Sequence, residues 1–419
     1  MSTLEIANKT ILDLFLNHQQ YPLSVNGFFD DLKIEDKERI DSLKILHFFF
    51  EHYFFYKGVT FEFFSKETRE LVVATGVALA AISYTTYNMN EVMVFYKKIV
   101  EENGETVSPR IENAFVAISK QKEDYSLATI IPGSVVHLSI KFNLPVWFIK
   151  TVLRQYGLEK GKEILPIYKK QFNYHFALCY FVGDKEIPFD DFKKYKFDNG
   201  LYEYVSEERV GKSALFLNKT MIPIQKMSCE IFKYLPMFNN KYLTLYLGGY
   251  NPLYNVFIKK YSNNSNVLNI ASKKLFDNRS LLDNSANNIK NISVYQSDES
   301  EMIAHLISKQ DLVFYIPKTS NLYLYMFDPT YRVLFDNNDL DSIIKEEENG
   351  LYQLTKFVAD NGLFVYYAET LNKKETTNIV KDFLNKNKSF SLLNEEIILP
   401  SLETESTVYY AILKRNKND

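Results

Sequence analysis

The sequence predicts a helical N-terminal domain, a small mixed unit and then a mostly parallel α/β sheet. Three observations carry this. Residues 1–120 place apolar side chains at helical spacing, with no strand alternation that persists. From Tyr242 onward, short apolar runs alternate with amphipathic segments long enough for right-handed crossovers. Between them, Lys241–Tyr261, "KYLTLYLGGYNPLYNVFIKKY", reads as strand, tight turn and helix. That is how an open α/β sheet starts, and such sheets bind ligands at the strands' carboxyl ends.

Within the first region, helices are expected at Ile6–Leu16, Asp36–Tyr56, Leu71–Tyr87, Asn90–Glu102 and Pro109–Lys120. Ser108 and Pro109 suit the N-cap and first position of the last of these. His47, Glu51 and His52 cluster on one helix, but no further ligand set accompanies them, so they are assigned no metal. Polarity rises around Gln121–Ser134, and Pro132-Gly133 marks the first domain boundary.

The middle segment opens with a helix after Leu144-Pro145 that bears Trp147, the single tryptophan, and closes at Gly157. A second short helix covers Glu159–Ile167. Between Lys141 and Gln171 the basic residues Lys141, Lys150, Arg154, Lys160, Lys162, Lys169 and Lys170 face only Glu159 and Glu163. Such a run is either a phosphate-contacting face or the solvated side of two helices, and the residues alone leave both open. Strands are expected at Phe176–Val182, Tyr202–Val205 and Ala214–Leu217, and this domain ends near Thr220.

In the last domain, strands are expected at Tyr242–Leu247, Asn266–Ile270, Ile292–Tyr295, Leu312–Ile316, Leu363–Ala368 and Val408–Leu413. Helices at Leu253–Tyr261, Leu275–Asn287, Glu299–Ser308, Ile343–Ala359 and Thr377–Lys386 fill most of the gaps. Domains of 1–134, 135–220 and 221–419 follow.

Composition narrows the class. With 46% hydrophobic and 24% charged residues, the 419-residue chain is globular rather than disordered. A net charge of −3 does not announce a nucleic-acid binder, although a local basic face is compatible with it. Cys179 and Cys229, the only two cysteines, cannot make a disulfide framework or a four-thiolate zinc site. The longest apolar run, Leu71–Tyr84, is too short to span a bilayer, and no leader pattern opens the chain. A cytoplasmic protein without a membrane partner is expected.

Several stretches, in order, resemble the Sun (RsmB-like) family of RNA 5-methylcytosine methyltransferases. "ALAAISYTTYNMNEVMVFYKKIVEE" with "PRIENAFVAISK" is similar to the end of the family's NusB-like domain. "LPVWFIKTVLRQYGLEKGKEIL" resembles its Leu-Pro-x-Trp helix and Tyr-Gly turn, and "IPIQKMSCEIF" the helix before its cofactor strand. "GLFVYYAETLNKKETTNIVKDFL" resembles the late strand that carries the family's nucleophile. The resemblance covers nearly the whole chain. It implies a NusB-like helical domain at 1–134, an RNA-binding linker at 135–220 and a Rossmann-like methyltransferase domain at 221–419.

The departures fall on the chemistry. Where the family has an acid, paired glycines and a lysine after the first strand, this chain has "TLYLGGYNPL", with Thr244 and Pro252 at the acid and lysine and only Gly248 and Gly249 nearby. Bulky Tyr250 and Asn251 stand where small residues let a cofactor approach the backbone. Asn269 aligns with the ribose-binding acid. Asp298 aligns with an adenine-proximal acid, but Asp298-Glu299-Ser300-Glu301 is also a helix-capping pattern, which is favoured. The family's two cysteines align with Lys318, in "YIPKTSN", and Glu369, which as neighbours would form an ion pair. The family mechanism adds a thiolate to carbon six of cytosine, methylates carbon five and eliminates with the second cysteine. A carboxylate or an ammonium does not replace a thiolate there. Cys179 and Cys229 lie away from that position and read as structural.

The expectation is therefore an RNA-binding, monomeric relative of a 16S rRNA methyltransferase that has lost catalysis, acting on ribosomal RNA or the small subunit. Candidate phosphate contacts are Lys150, Arg154, Lys160, Lys162, Lys169 and Lys170. Gly248, Gly249, Asn269 and Asp298 are remnants of a cofactor site, with S-adenosylmethionine the cofactor if any binds. An active S-adenosylmethionine-dependent methyltransferase and a NusB-like protein-interaction module are the alternatives.

Overall fold

The computed structural model describes residues 2–17, 36–169, 178–181, 190–194, 201–206, 213–217, 221–224, 243–248, 266–271, 292–296, 309–326, 328–401 and 407–417. It divides into two units, Met1–Lys170 with Leu324–Asn337, and Gln171–Tyr323 with Asn338–Asp419. The expected boundary at 134 falls inside the first unit.

The first unit is helical: α1 (Thr3–Asn17), α2 (Asp36–Glu51), α3 (Tyr53–Phe63), α4 (Arg69–Tyr84), α5 (Met89–Glu102), α6 (Pro109–Gln121), α7 (Val135–Phe142) and α8 (Val146–Lys169). α4 is the hub, because its residues Leu71–Ala81 are all buried and it packs against α1, α2, α3, α5 and α6. A helix that is apolar all round must be enclosed by others. Gly76 lets Phe49 close against it, since a Cβ there would lie 2.5 Å from the ring. Thr68 caps α4 by accepting from Leu71 N at 3.2 Å, and Asn88 and Glu91 form a capping box on α5.

The single segment expected at Asp36–Tyr56 is two helices, broken at His52. Asn143, in left-handed conformation after α7, holds the break. Its Oδ1 accepts from Phe54 N at 3.3 Å and its Nδ2 donates to Phe50 O at 2.8 Å. A kink also divides α8 at Gly157, whose φ of 81° lies outside the helical region, as the sequence expects for the end of the first helix.

Residues 324–337 complete this unit with one turn of 3-10 helix and α10 (Pro329–Leu334); the label α9 belongs to the one-turn helix Ala214–Leu217. Asp328 caps α10, accepting from Thr330 N at 2.8 Å and Tyr331 N at 3.2 Å. Arg332 is 5% exposed; it donates from Nη2 to Tyr168 O at 2.6 Å and from Nε to Tyr325 O. Burial lowers its pKa to about 10, against the opposing pull of Glu51 and Asp328, so the guanidinium stays charged at neutral pH. Phe148, Tyr168 and Tyr325 pack edge to face beside it at 5.0–5.1 Å.

The second unit holds two sheets. β1 (Leu178–Phe181), β2 (Phe192–Lys194), β3 (Leu201–Tyr204) and β4 (Met221–Ile224) form an antiparallel sheet in the order β2-β3-β1-β4. The strand expected at Ala214–Leu217 is instead α9, because a four-residue apolar run carries no period. β4 contains Pro223, tolerated because β4 is an edge strand.

The larger sheet runs β10-β11-β9-β8-β5-β6-β7. β5 (Leu243–Gly248), β6 (Asn266–Ala271), β7 (Ile292–Gln296), β8 (Gln310–Ile316) and β9 (Val358–Ala368) are parallel, and β10 (Phe390–Ile398) and β11 (Val408–Arg415) are antiparallel additions. All six expected strands form. β10 escapes pattern reading because a bulge between Leu392 and Asn394 breaks its two-residue period. The helix expected at Ile343–Ala359 is α11 (Leu340–Leu354), which gives way to a 3-10 turn before β9 begins at Val358. α12 (Thr377–Lys386) forms as expected, whereas the helices expected at Leu253–Tyr261, Leu275–Asn287 and Glu299–Ser308 lie outside the described residues. Early in β9, Gly362 is required at a bulge, since a Cβ there would sit 2.8 Å from Ala359 O and 3.0 Å from Gln310 O.

Arg332→Met should lower the urea unfolding stability of the full chain by about 3 kcal/mol, because the carbonyls of Tyr168 and Tyr325 lose a charged donor in the interior. A loss under about 1 kcal/mol would contradict that role.

Candidate functional site

In this sheet β5, β6 and β7 succeed one another to one side, and the chain then returns to place β8 on the other side of β5. The crevice between β5 and β8 at their carboxyl ends is the topological switch point, where ligands of open α/β sheets sit. Gly248 is the last residue of β5 and pairs with Ile316, the last of β8. Asn269 lies in β6 opposite Tyr246 and Val294, two residues short of the strand's end at Ala271. Gly249, Asp298 and Lys170 are outside the described residues, as is Cys229. Cys179 pairs with Tyr202 and Pro223 in the smaller sheet, apart from this edge.

β8 and β9 are adjacent and parallel, with Tyr315 opposite Tyr366. Both strands then run on into loops, position 318 two residues past the end of β8 and position 369 one residue past the end of β9. Ser320 Oγ and Thr370 Oγ1 lie 3.4 Å apart and keep the two loops together beyond the strands. Lys318 and Glu369 thus stand on neighbouring loops at the carboxyl edge. Lys318 is exposed and Glu369 half-buried on these loops.

Beneath these positions lies a polar centre that no sequence motif announced. Glu375 is fully buried and accepts from Ser320 N at 2.6 Å, Ser320 Oγ at 2.7 Å, Asn372 Nδ2 at 3.0 Å and Thr370 Oγ1 at 3.3 Å. Tyr366 Oη donates to Glu375 O at 2.8 Å. Burial pushes the Glu375 carboxyl up, and the donors from Ser320, Asn372 and Thr370 pull it down. One side chain therefore ties the β8 loop to the β9–α12 loop. "ETLNKKET" held the signal, a polar cluster ahead of an amphipathic helix, but nothing in it marked which carboxylate turns inward.

A second buried carboxyl lies on α11. Glu347 is 0% exposed, and neither of its oxygens has a hydrogen-bond partner among the described residues. Burial first, and the nearby Glu375, Glu348 and Glu346 next, push its pKa up to about 11. It is a neutral acid at physiological pH. Tyr315 reaches toward this helix, and Gly350 leaves room for its hydroxyl.

The described members of the basic run, Lys141, Lys150, Arg154, Lys160, Lys162 and Lys169, are all exposed. Lys150 and Arg154 are exposed one turn apart on the first half of α8. Lys160 and Lys162 are also exposed, but each is paired, to Glu163 at 2.6 Å and to Glu159 at 2.8 Å. They lie roughly 200° apart around the helix, so one flat surface cannot take both. Lys169 is exposed at the end of α8, beside a cavity that Lys141 also lines. His47 pairs with Glu51 at 3.3 Å and His52 stacks on Tyr84; no group of three potential metal ligands occurs among the described residues.

No family model matches this chain, and no curated protein matches its sequence. Its fold is nevertheless found among solved structures. The crystal structure of PH0851 aligns with a TM-score of 0.68 at 11% identity, over 99% of this chain and 99% of that one. The two share a fold. A methyltransferase homolog protein from Pyrococcus horikoshii aligns with a TM-score of 0.54 at 13% identity, over 68% of this chain and 100% of that one. At such identities the likeness is one of fold. It establishes a helical region followed by a methyltransferase-type sheet. No described helix is long and apolar enough to cross a membrane.

Two outcomes follow. Glu375→Ala should destabilise the chain by about 3 kcal/mol and speed amide exchange across 317–321, because Ser320 N and Asn372 Nδ2 lose a buried acceptor. Unchanged exchange there would show that the loops hold without it. Glu347 has a raised folded pKa, so its contribution is intact below the unfolded value of 4.5 and is lost as pH rises toward about 11. Wild-type stability should fall with pH by at most about 1.4 kcal/mol per unit from this group, and Glu347→Gln should flatten that slope in urea titrations. Parallel slopes would contradict it.

Proposed function

We propose that the chain is an RNA-binding protein built on the frame of an RNA cytosine methyltransferase, one that does not carry out the cysteine-dependent reaction. The observation that carries this is the pair of neighbouring loops at the carboxyl ends of β8 and β9. The resemblance puts the two thiols there, and the side chains present are Lys318 and Glu369. An exposed ammonium cannot add to carbon six as a thiolate does and then leave; a carboxylate is too weak a nucleophile. The frame around them is intact, with the switch point, the parallel register and the Glu375 clamp in place. Such a frame suits recognition without turnover.

In this reading the NusB-like helical part (1–134) and the linker (135–220) engage ribosomal RNA of the small subunit, and 221–419 supports them as a monomeric cytoplasmic scaffold. Lys150 and Arg154 are the first phosphate contacts, joined by Lys169 and Lys170. Lys160 and Lys162 contribute less, because each would have to leave an acidic partner. In this reading Gly248, Gly249, Asn269 and Asp298 hold no cofactor, since the sequence has Tyr250 and Asn251 where the resemblance expects small residues.

Calorimetry with S-adenosylmethionine should give no heat, while a gel-shift assay with 16S rRNA fragments should show binding that weakens steeply with salt. Lys150→Ala/Arg154→Ala should lower the salt slope by about 1.4, the share of two contacts to single-stranded RNA. Micromolar cofactor binding with label transfer to cytosine would replace this reading with an active methyltransferase. Absence of RNA binding, with a protein recovered on the helical unit, would replace it with an interaction module.

A further inference from the structure

A cavity of about 340 Å³ opens within the helical unit, between the start of α3, the link after α6 and α7. That is the size range of small-ligand sites. Phe55, Leu127, Ile130 and Ile140 supply apolar wall, while His52, Tyr125, Lys141, Lys169 and Asp124 bring aromatic and charged groups to it. Asn143 fixes its floor through the two hydrogen bonds that hold the α2–α3 break, so the cavity is preformed.

Its aromatic side continues beyond the cavity. The His52 ring lies 5.0 Å from Tyr84 with planes 4° apart, and Tyr84 lies 4.1 Å from Phe48 with planes 10° apart. Lys122 Nζ sits 4.8 Å from the centre of the Tyr84 ring. Lys122 thus lies over the aromatic run, while Lys141 and Lys169 line the cavity that the run borders at His52. Interleaved rings and cations are how proteins hold single-stranded nucleic acid, the rings stacking on bases and the cations following phosphates. Asp124, an exposed carboxylate at the cavity, can accept from the amino group of a base.

We infer that this cavity holds one unpaired nucleotide of a single-stranded RNA, its base amino-bearing and stacked near His52 and Tyr125, its phosphate on Lys141 and Lys169. This rests on the RNA-binding reading above but uses residues other than Lys150 and Arg154.

The test uses the full chain, cytidine and uridine monophosphates, and a single-stranded oligocytidylate. Nucleotide binding is followed by NMR line broadening, oligonucleotide binding by anisotropy across salt. Cytidine monophosphate should bind and uridine monophosphate bind more weakly. Lys141→Ala/Lys169→Ala should weaken both probes by about tenfold or more and cut the oligonucleotide salt slope by about 0.7, the share of one phosphate. Tyr125→Ala, with its melting temperature checked, should weaken cytidine monophosphate by about tenfold. No nucleotide binding to wild type, or equal binding to the double variant, overturns the inference. Oligonucleotide binding lost in Lys150→Ala/Arg154→Ala but kept in Lys141→Ala/Lys169→Ala leaves RNA recognition standing and removes the cavity from it. Mononucleotide binding without any oligonucleotide binding overturns both as statements about RNA.

Discussion

The parallel pairing of β8 with β9 is the constraint on which the α/β part of this molecule depends. Their register, Tyr315 on Tyr366, decides which residues meet at the sheet's carboxyl edge. Hydrogen bonds between strands end with the strands, and two loops leaving such an edge would diverge without another tie. Glu375 supplies it. Four hydrogen bonds from both loops converge on one buried carboxyl, and a buried polar group is held only when so satisfied. Lys318 and Glu369 therefore occupy a fixed platform, not two independent loops.

That arrangement separates scaffold from chemistry. The clamp, the switch point and the Gly362 bulge all concern backbone placement, and each is present. Under the proposed function, the two positions that would carry thiols are occupied by Lys318 and Glu369. A similar division holds in the helical unit, where Arg332, Tyr168 and Tyr325 weld α10 into the core while Lys150, Arg154, Lys160, Lys162 and Lys169 stay in solvent.

Much of this was legible in the sequence, and the limits have physical causes. The buried helix Leu71–Ala81 and all six expected strands of the large sheet announce themselves through long apolar runs. α9 misleads because four residues define no period, and β10 because a bulge at Leu393 breaks the alternation. The break at His52 is invisible in pattern because it is stabilised from afar, by Asn143, some ninety residues away. The candidate site shows the same division. Positions 318 and 369 can be placed by resemblance, but Glu375, Ser320, Thr370 and Asn372 cannot, since only the fold brings them together. Glu347 is the extreme case: a carboxylate in an acidic stretch reads as solvated, yet the helix turns it inward.

The most direct measurement is a cross-link at the platform itself, in a full chain carrying Cys179→Ser and Cys229→Ser. Lys318→Cys and Glu369→Cys, introduced together, should close into an intramolecular disulfide under mild oxidation. Neighbouring parallel strands are spaced at about 4.8 Å, within the Cα separation a disulfide accepts. Loss of both free thiols without dimer formation is the result expected of adjacent, clamped loops. Two thiols that remain titratable after oxidation would mean that positions 318 and 369 do not face each other, and the case for a thiol site replaced in place would fail.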